Sequence, residues 1–316
     1  MHLDPSQLRA LRSVVDEGTL EAAARVLQVT PSAVSQRLKA LETSTGRVLL
    51  VRSKPARATA SGEVLVRLAR QLDLLTADAL DEFGAEPVGD RTDRPSTVAL
   101  AVNADSLATW LLPALAPLAE SYCFDLHVVD QDHTSALLRN GTVMAAVTSQ
   151  AQPVPGCRST RLGAMRYRPM AAPGFAQRWF PDGVSAAGLA HAPNVEFDRT
   201  DELQQRYLRR RTRAAVSPPV HHVPSSADFL RAVRLGFGWG MVPDLEGAAY
   251  ELAGSLVEID PRGHHDVVLH WQQWRLRSAS LDRVAGAVLD AAREQLRQAP
   301  QRRAGAPGRR GTPPQP

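Results

Sequence analysis

Three short stretches within the first fifty residues carry apolar side chains at helical spacing. The first follows the helix-start signal of Asp4 and Pro5, and the second is rich in small alanines that let a neighbouring helix approach closely. The third begins at a second cap-then-proline signal, Thr30-Pro31, and stops before Gly46. The pattern predicts three helices, at about 5–18, 19–27 and 31–45.

The third predicted helix has one apolar and one polar face. Its apolar face carries Val34, Leu38 and Leu41, which we expect to lie in a core. On or beside the opposite face are side chains that can read base edges or meet phosphate: Ser32, Ser35, Gln36, Arg37 and Lys39. A solvated surface gives the same pattern in an isolated helix. After a short helix and a tight turn, however, the pattern predicts a helix-turn-helix that presents its polar face to the major groove of DNA.

A basic hairpin is predicted after this helix. The apolar run 48–51 is typical of a strand, and the chain returns through Ala58-Thr59. Three basic side chains lie around the tip: Arg52, Lys54 and Arg57. We expect them to contact phosphates or the minor groove, where they add affinity and salt dependence more than sequence choice. The first sixty residues are thus predicted to form a winged helix-turn-helix.

A heptad-like repeat follows over residues 60–83. Its apolar positions step by three and four residues: Leu65, Leu68, Leu72, Leu75 and Ala79. The repeat predicts a long linker helix that pairs two copies, so that two heads reach half-sites about 34 Å apart on DNA. The alternative is packing against the chain's own head. Proline, glycine and charged residues at 84–95 then indicate a hinge.

Strand-like and helical stretches alternate in the rest of the chain. The predicted strands are 98–102, 126–129 and 144–147, with predicted helices at 107–120 and 135–140. This alternation indicates an α/β domain with a mostly parallel sheet at 96–299. We expect lobe I at about 96–162 and 266–299, and lobe II at about 163–265. A cleft between two such lobes is typical of periplasmic-binding-protein-like sensors.

Ligands of such folds lie at the carboxyl ends of strands. This rule selects eight candidate effector-binding residues: Asp105, Ser106, Thr148, Ser149, Asp198, Ser225, Ser226 and Asp228. Hydroxyls and a helix N-terminus suit an α-carboxylate, and an aspartate suits a cationic side chain. Helix capping is the alternative for each, because serine, threonine and aspartate are preferred at strand-to-helix turns.

Charge is distributed unevenly along a chain whose formal net charge is +4. Residues 1–62 hold nine Lys and Arg against five Asp and Glu, and residues 300–316 add four arginines without an acid. The middle of the chain is mildly acidic. A basic head on an acidic body suits a protein that binds DNA through its head. The tail from residue 300, rich in proline, glycine and arginine, is predicted to be disordered.

Other features narrow the class of protein. The sequence has no apolar run of eighteen residues and no export signal, so we expect a cytoplasmic protein without a membrane partner. Its cysteines, Cys123 and Cys157, are far apart and favour neither a disulfide framework nor a zinc site. We therefore expect no metal and no cofactor.

An enzyme is the rival class, because helix-turn-helix heads are also found fused to pyridoxal-phosphate domains. That chemistry needs a Schiff-base lysine, and the only lysines, Lys39 and Lys54, lie in the head. The sequence also lacks a nucleophile elbow, a phosphate-binding loop and metal-ligand spacing. It therefore predicts a protein without catalytic residues.

The head resembles that of the LysR-type transcriptional regulators. The resemblance rests on Ala22-Ala23, the segment TPSAVSQRLKALE at 30–42, Gly46 and the segment LLVR at 49–52. The segment AVNADSLATWLLP at 101–113 is similar to the branch that controls export of basic amino acids, the ArgP and LysG type. The resemblance covers about residues 3–297.

The resemblance implies a homodimer or homotetramer that binds an operator near a divergent promoter. On sensing a small molecule, such a regulator alters recruitment of RNA polymerase, usually as an activator. In this branch the effectors are lysine, arginine and sometimes histidine, and the target encodes an exporter. The alternatives are a response to another metabolite, or replication-origin or architectural DNA binding without regulated transcription.

Overall fold

The computed structural model describes residues 3–51, 53–83, 96–129, 131–212 and 215–298. Arg52, the predicted hinge at 84–95 and the predicted tail at 300–316 lie outside these residues. The described residues form a helical head, a long helix and an α/β body, which confirms the predicted fold class. Among the described helices, none combines the length and apolarity needed to cross a bilayer.

Three helices and a short hairpin make up the head. They are α1 (Pro5–Glu17), α2 (Leu20–Val26), α3 (Pro31–Thr45), β1 (Leu50–Val51) and β2 (Arg57–Ala58). The helices begin at Asp4, Thr19 and Thr30, whose side chains each accept a hydrogen bond from a backbone N–H two or three residues onward. Helices α1 and α3 end at Gly18 and Gly46, which adopt the left-handed conformation.

The hairpin pairs fewer residues than its apolar run predicts. Only two residue pairs are in register, Leu50 with Ala58 and Val51 with Arg57. Thr59 closes the base of the hairpin instead, because its N–H donates to the Leu49 carbonyl at 3.0 Å and its hydroxyl donates to the Val48 carbonyl at 2.8 Å. The wing is therefore short and anchored at its base.

The linker helix α4 (Ala60–Glu82) belongs to two cores. Leu65, Val66 and Ala69 are buried in the core of the head, whereas Leu74 is buried in the main core of the body. At its start the helix passes so close to the wing that a Cβ on Gly62 would lie 2.0 Å from the Leu49 carbonyl oxygen. One helix thus holds the head and the body together.

This packing corrects the predicted pairing face of the linker helix. Leu65 is only 8% exposed within the head core and Leu68 packs partly against that core, so these two positions contact the chain's own head. Leu72 and Ala79 are exposed and Leu75 is half-buried. Heptad spacing alone does not distinguish packing against the chain's own head from packing against a second copy, and in α4 the first two predicted positions pack against the head.

The body contains nine strands and nine helices within the described residues. Its strands are β3 (Ser96–Val102), β4 (Tyr122–Val128), β5 (Ala145–Thr148), β6 (Cys157–Ala171), β7 (Asn194–Glu196), β8 (Val220–His222), β9 (Gly240–Pro243), β10 (Val257–Glu258) and β11 (His265–Trp274). Its helices are α5 (Ala104–Ser106), α6 (Leu112–Leu115), α7 (Gln131–Asn140), α8 (Pro173–Trp179), α9 (Ala186–His191), α10 (Leu203–Arg211), α11 (Ser226–Arg234), α12 (Asp244–Leu252) and α13 (Ala279–Gln295). A π-helical turn (Leu107–Leu111) joins α5 to α6.

Two long strands run through both lobes. The main sheet has the order β10, β6, β11, β5, β3, β4, with β9 also paired to β6. Strands β6 and β11 are antiparallel to each other and to their other neighbours, whereas β3 pairs in parallel with β4 and β5. The sheet is therefore mixed, not mostly parallel as predicted, because the crossover strands must run in opposite directions between the lobes.

The lobes meet at an irregularity in the crossover strands. The register of β11 against β6 shifts between Leu269 and His270, and Gly163 on β6 has a φ of 144°. After α13 the chain returns to this point, where the backbones of Ala164 and Arg297 exchange two hydrogen bonds. A Cβ on Gly163 would lie 2.8 Å from Leu296, so only glycine allows this close approach. The crossing therefore lies near residues 163 and 269, close to the predicted lobe boundary.

Candidate functional site

Helix α3 exposes the polar face that its periodicity predicts. Val34, Leu38 and Leu41 are buried in the head core. On the other side Ser32, Gln36 and Lys39 are exposed, and Ser35 and Arg37 are half-buried. The side chains predicted to enter a DNA groove are therefore accessible to a partner.

The wing lies beside the head at a fixed position. The N–H of Ala56 donates to the Gly18 carbonyl at 2.7 Å, which ties the tip of the hairpin to the end of α1. Glu42 of α3 accepts a hydrogen bond from the Leu49 N–H at 2.9 Å, which ties the base of the hairpin to α3. Lys54 and Arg57 remain exposed. Of the three predicted wing cations, Arg52 lies outside the described residues.

Basic side chains of the head fall into two groups. Arg12 pairs with Asp16 and Asp73 where α1 meets the linker helix, so its charge is compensated. The basic side chains of α3 and the wing make no ion pair within the part of the chain that the structure describes: Arg37, Lys39, Lys54 and Arg57. Helix α3 and the wing therefore carry positive charge that no acidic side chain among the described residues compensates, on elements that a DNA backbone would meet.

Asp105 lies where the two lobes meet, at the position of the predicted cleft. Its carboxyl accepts a hydrogen bond from the Tyr167 hydroxyl at 2.7 Å and another from the Ser226 hydroxyl at 3.0 Å. These residues come from α5, β6 and α11, which the crossover strands bring together. Burial raises the pKa of Asp105, while the hydrogen bonds from Tyr167 and Ser226 oppose that rise.

Two further carboxyls lie near Asp105. Burial raises the pKa of Glu246 to about 7, and the negative charge of Asp105 adds to this rise. Asp201 also repels Asp105, but its own oxygens accept hydrogen bonds from the N–H groups of Phe197 and Leu203. No lysine, arginine or histidine pairs with any of these three carboxyls within the described residues. The cleft is therefore acidic and lacks an internal counter-charge.

Hydroxyl groups lie beside this acidic cluster. Ser106 follows Asp105 and is fully buried, and its Oγ has no hydrogen-bond partner among the described residues. The parallel register of β3 and β5, continued past Ala101 and Ala146, brings the end of β3 next to Thr148. Thr148 accepts a hydrogen bond from the Gln150 N–H at 3.2 Å, and Ser149 between them is half-buried. These side chains lie at the carboxyl end of adjacent strands, as predicted.

Three of the candidate effector-binding residues take part in local turns. Asp198 accepts hydrogen bonds from the N–H groups of Thr200 and Asp201. Ser225 caps α11 by accepting from the Asp228 N–H, and its hydroxyl donates to the Asp228 carboxyl at 2.9 Å. The capping alternative therefore accounts for Asp198, Ser225 and Asp228. We retain Asp105, Ser106, Thr148, Ser149 and Ser226 in the candidate site.

Tyr167 and Glu246 also contribute to this site, although neither is among the residues predicted from the sequence. The rule for carboxyl ends of strands could have found Glu246, because β9 ends at Pro243 and α12 begins with acidic residues. No local signal marks Tyr167, which lies inside the long strand β6. Its role depends on a contact with Asp105, 62 positions earlier in the chain.

The chain matches two family models. Residues 5–63 match the model described as bacterial regulatory helix-turn-helix protein, lysR family. Residues 92–297 match the LysR substrate binding domain. Together they include the head and both lobes of the body.

Named relatives match nearly the whole chain. The lysine export transcriptional regulatory protein LysG of Corynebacterium efficiens is 44% identical over 299 residues, which cover 93% of this chain and 100% of LysG. The crystal structure of ArgP from Mycobacterium tuberculosis has a TM-score of 0.85 at 44% identity and covers 94% of this chain and 100% of ArgP. Full-length LysG from Corynebacterium glutamicum with bound effector Arg has a TM-score of 0.77 at 39% identity, with coverages of 93% and 100%.

Proposed function

The chain belongs to the LysR family of bacterial transcription regulators, as its motifs predicted, and we propose that it binds promoter DNA through its head and a basic amino acid in its cleft. The polar face of α3 enters the major groove, and the basic wing contacts the phosphates. The DNA-contacting residues we propose are Ser32, Ser35, Gln36, Arg37, Lys39, Arg52, Lys54 and Arg57.

The acidic cleft is the observation that supports a cationic effector. Asp105 and Glu246 lie close enough to raise the pKa of Glu246, and neither is compensated by a basic side chain within the described residues. A cation between them relieves the repulsion and favours the ionised form of both carboxyls. A lysine or arginine side chain supplies such a cation, and LysG with bound arginine is a relative of 39% identity.

The amino-acid backbone of the effector has a separate position in this proposal. The buried Ser106 hydroxyl lacks a partner among the described residues, and a buried polar group of this kind is costly unless it is satisfied. Ser106 and Thr148 therefore hold the α-carboxylate, while Asp105 and Glu246 hold the side-chain cation. Ser226 and Tyr167 position Asp105.

We further propose the assembly and the target. Two copies pair through the C-terminal half of α4, where Leu72 and Ala79 are exposed. The assembly is this homodimer or a homotetramer of two such dimers. The dimer acts in the cytoplasm as an activator that recruits RNA polymerase to an exporter gene, without catalytic activity of its own. The name of its Corynebacterium efficiens relative, a lysine export regulator, supports this target.

Selection of random duplexes by the full-length protein tests the DNA-binding part. We expect a motif with two half-sites. Gln36→Ala should relax the base preference, whereas Arg57→Ala should weaken binding to all sequences and reduce the salt slope by about one. Recovery of duplexes without a shared motif would favour architectural DNA binding. Unchanged binding by both variants would show that the protein contacts DNA through a different surface.

Thermal unfolding in the presence of amino acids tests the effector. Lysine or arginine at 100 times its dissociation constant should stabilise the protein by about 2.7 kcal/mol. Citrulline is the matched control, because it keeps the length of arginine without the charge. Stabilisation by an uncharged metabolite alone would overturn the basic-amino-acid proposal and leave the family assignment in place.

A further inference from the structure

Arg70 of the linker helix lies where the head, the helix and lobe I meet. Its Nη2 donates to the Asp16 carboxyl at the end of α1. Its Nη1 donates to the carbonyl of Asn140, the last residue of α7, at 3.4 Å and to the hydroxyl of Thr142, in the turn that follows, at 3.3 Å. One guanidinium thus joins the DNA-binding head to the body.

The turn at 140–142 contacts the linker helix through the backbone as well. Arg67, one helical turn before Arg70, donates to the Arg139 carbonyl at 3.2 Å. A Cβ on Gly141 would lie 3.0 Å from the Cα of Arg67, and Gly141 has a φ of 80°. Because the two backbones are this close, the turn and the helix cannot shift independently by much.

The middle of the same helix α7 contacts the loop that follows β5. The Ser135 hydroxyl donates to the Gln150 side chain at 2.5 Å. Gln150 in turn holds Thr148, a candidate effector-binding residue, through its backbone N–H. Gln272 of β11 fixes this loop further, since its side-chain amide donates to the Gln150 carbonyl at 2.8 Å.

We propose that α7 and Arg70 transmit effector binding from the cleft to the DNA-binding head within one protomer. This inference rests on the proposed function and adds its regulation. An effector that engages Thr148 displaces the loop held by Ser135, and α7 carries the displacement to the turn at 140–142. Arg70 is a positioning residue: because it binds both this turn and Asp16, a movement of the turn moves Asp16 and changes the orientation of the head.

A second ion pair at the same interface provides a matched control. Asp73 of α4 pairs with Arg12 of α1, and its side chain is 36% exposed, against 35% for Asp16. Both pairs join the head to the linker helix. Only the Asp16 pair involves an arginine that also reaches lobe I. Asp73→Asn therefore removes an ion pair of the same interface and leaves in place the Arg70–Asp16 pair, together with the pairing of Arg12 with Asp16.

The experiment measures how arginine and lysine change the affinity for a duplex selected by the wild-type protein. Fluorescence anisotropy gives the dissociation constant with and without saturating amino acid for wild type, Asp16→Asn, Arg70→Gln and Asp73→Asn. Allosteric coupling in proteins typically changes affinity by about 5- to 150-fold. We expect the ratio of the two dissociation constants, without and with amino acid, to approach one in Asp16→Asn and Arg70→Gln. In Asp73→Asn this ratio should stay at the wild-type value.

Isothermal titration with arginine alone supplies the second readout. Effector affinity should stay within about twofold of wild type in all three variants, because none of the residues lies in the cleft. A wild-type ratio in Asp16→Asn and Arg70→Gln, or an equal loss in Asp73→Asn, would overturn the coupling path. A wild-type protein that binds the duplex but ignores both amino acids would overturn the proposed function together with its regulation.

Discussion

The hydroxyl of Ser226 donates a hydrogen bond of 3.0 Å to Asp105, which lies 121 positions earlier in the chain and in the opposite lobe. Tyr167 holds the other oxygen of the same carboxyl. The two lobes are thus bridged at the residue that we propose binds the effector cation. A carboxyl fixed in this way loses little freedom when a ligand binds, which favours affinity.

Asp105→Asn should remove most of the affinity for lysine and arginine while preserving the fold. The amide oxygen still accepts a hydrogen bond from Tyr167 or Ser226, but the negative charge is lost. A lost charge-assisted contact corresponds to a decrease of about tenfold to a hundredfold. Isothermal titration measures the change. Asp198→Asn is the control, since its turn is capped equally well by an amide, and equal losses in both variants would contradict our site.

Arginine affinity should increase as the pH rises through about 7. Burial and Asp105 raise the pKa of Glu246 to about 7, so below this pH the carboxyl is mostly protonated and must release a proton to pair with a cation. We expect binding at pH 6 to be about tenfold weaker than at pH 8. Titrations at both pH values measure the difference, and Glu246→Gln should abolish it.

Without effector, the Glu246 carboxyl should destabilise the protein at high pH. The folded-state pKa of Glu246 lies above its ordinary value of 4.5, so its contribution to stability decreases as the pH rises from about 4.5 to about 7. Glu246→Gln should therefore increase the free energy of unfolding at pH 8 by about 1 kcal/mol, after allowance for solvent screening of a partly exposed group. Urea unfolding at pH 5 is the control, where the gain should vanish.

Substitutions of two leucines of the linker helix should affect different properties, the stability of one protomer and its dimerisation. Leu65 is 8% exposed in the head core, so Leu65→Ala should lower the free energy of unfolding by about 2–5 kcal/mol. Leu72 is 37% exposed, and Leu72→Glu should weaken dimerisation with little effect on the fold of one protomer. Urea unfolding and sedimentation velocity separate the two effects. A dimer that survives Leu72→Glu unchanged would place the pairing surface elsewhere.

Two helical glycines form a matched pair for testing the contact between wing and linker. In Gly62→Ala the new Cβ meets the Leu49 carbonyl oxygen at 2.0 Å, whereas in Gly286→Ala it meets nothing within 4 Å. Gly62→Ala should destabilise the head by about 1–3 kcal/mol and weaken DNA binding. Gly286→Ala should instead stabilise α13 by about 0.5–1 kcal/mol, because alanine favours a helix interior. Calorimetry measures both, and similar stabilities would exclude the close approach.

Local sequence predicted the head in detail. The predicted caps at Asp4 and Thr30 begin α1 and α3, and the predicted apolar positions of α3 are the buried ones. Caps, glycine ends and helical periodicity involve residues only a few positions apart. For this reason they can be recognised along the chain without knowledge of its tertiary partners. The alternation of strands and helices likewise indicated the α/β body.

The sequence by itself thus determined the local elements, the α/β class and the family. Only the tertiary structure decided that Tyr167 and Glu246 join Asp105 and that Leu65 is buried in the head. A linear pattern specifies which face of an element is apolar or charged, but it does not specify which distant face covers it. That choice follows from how the crossover strands and the linker helix bring remote segments into contact.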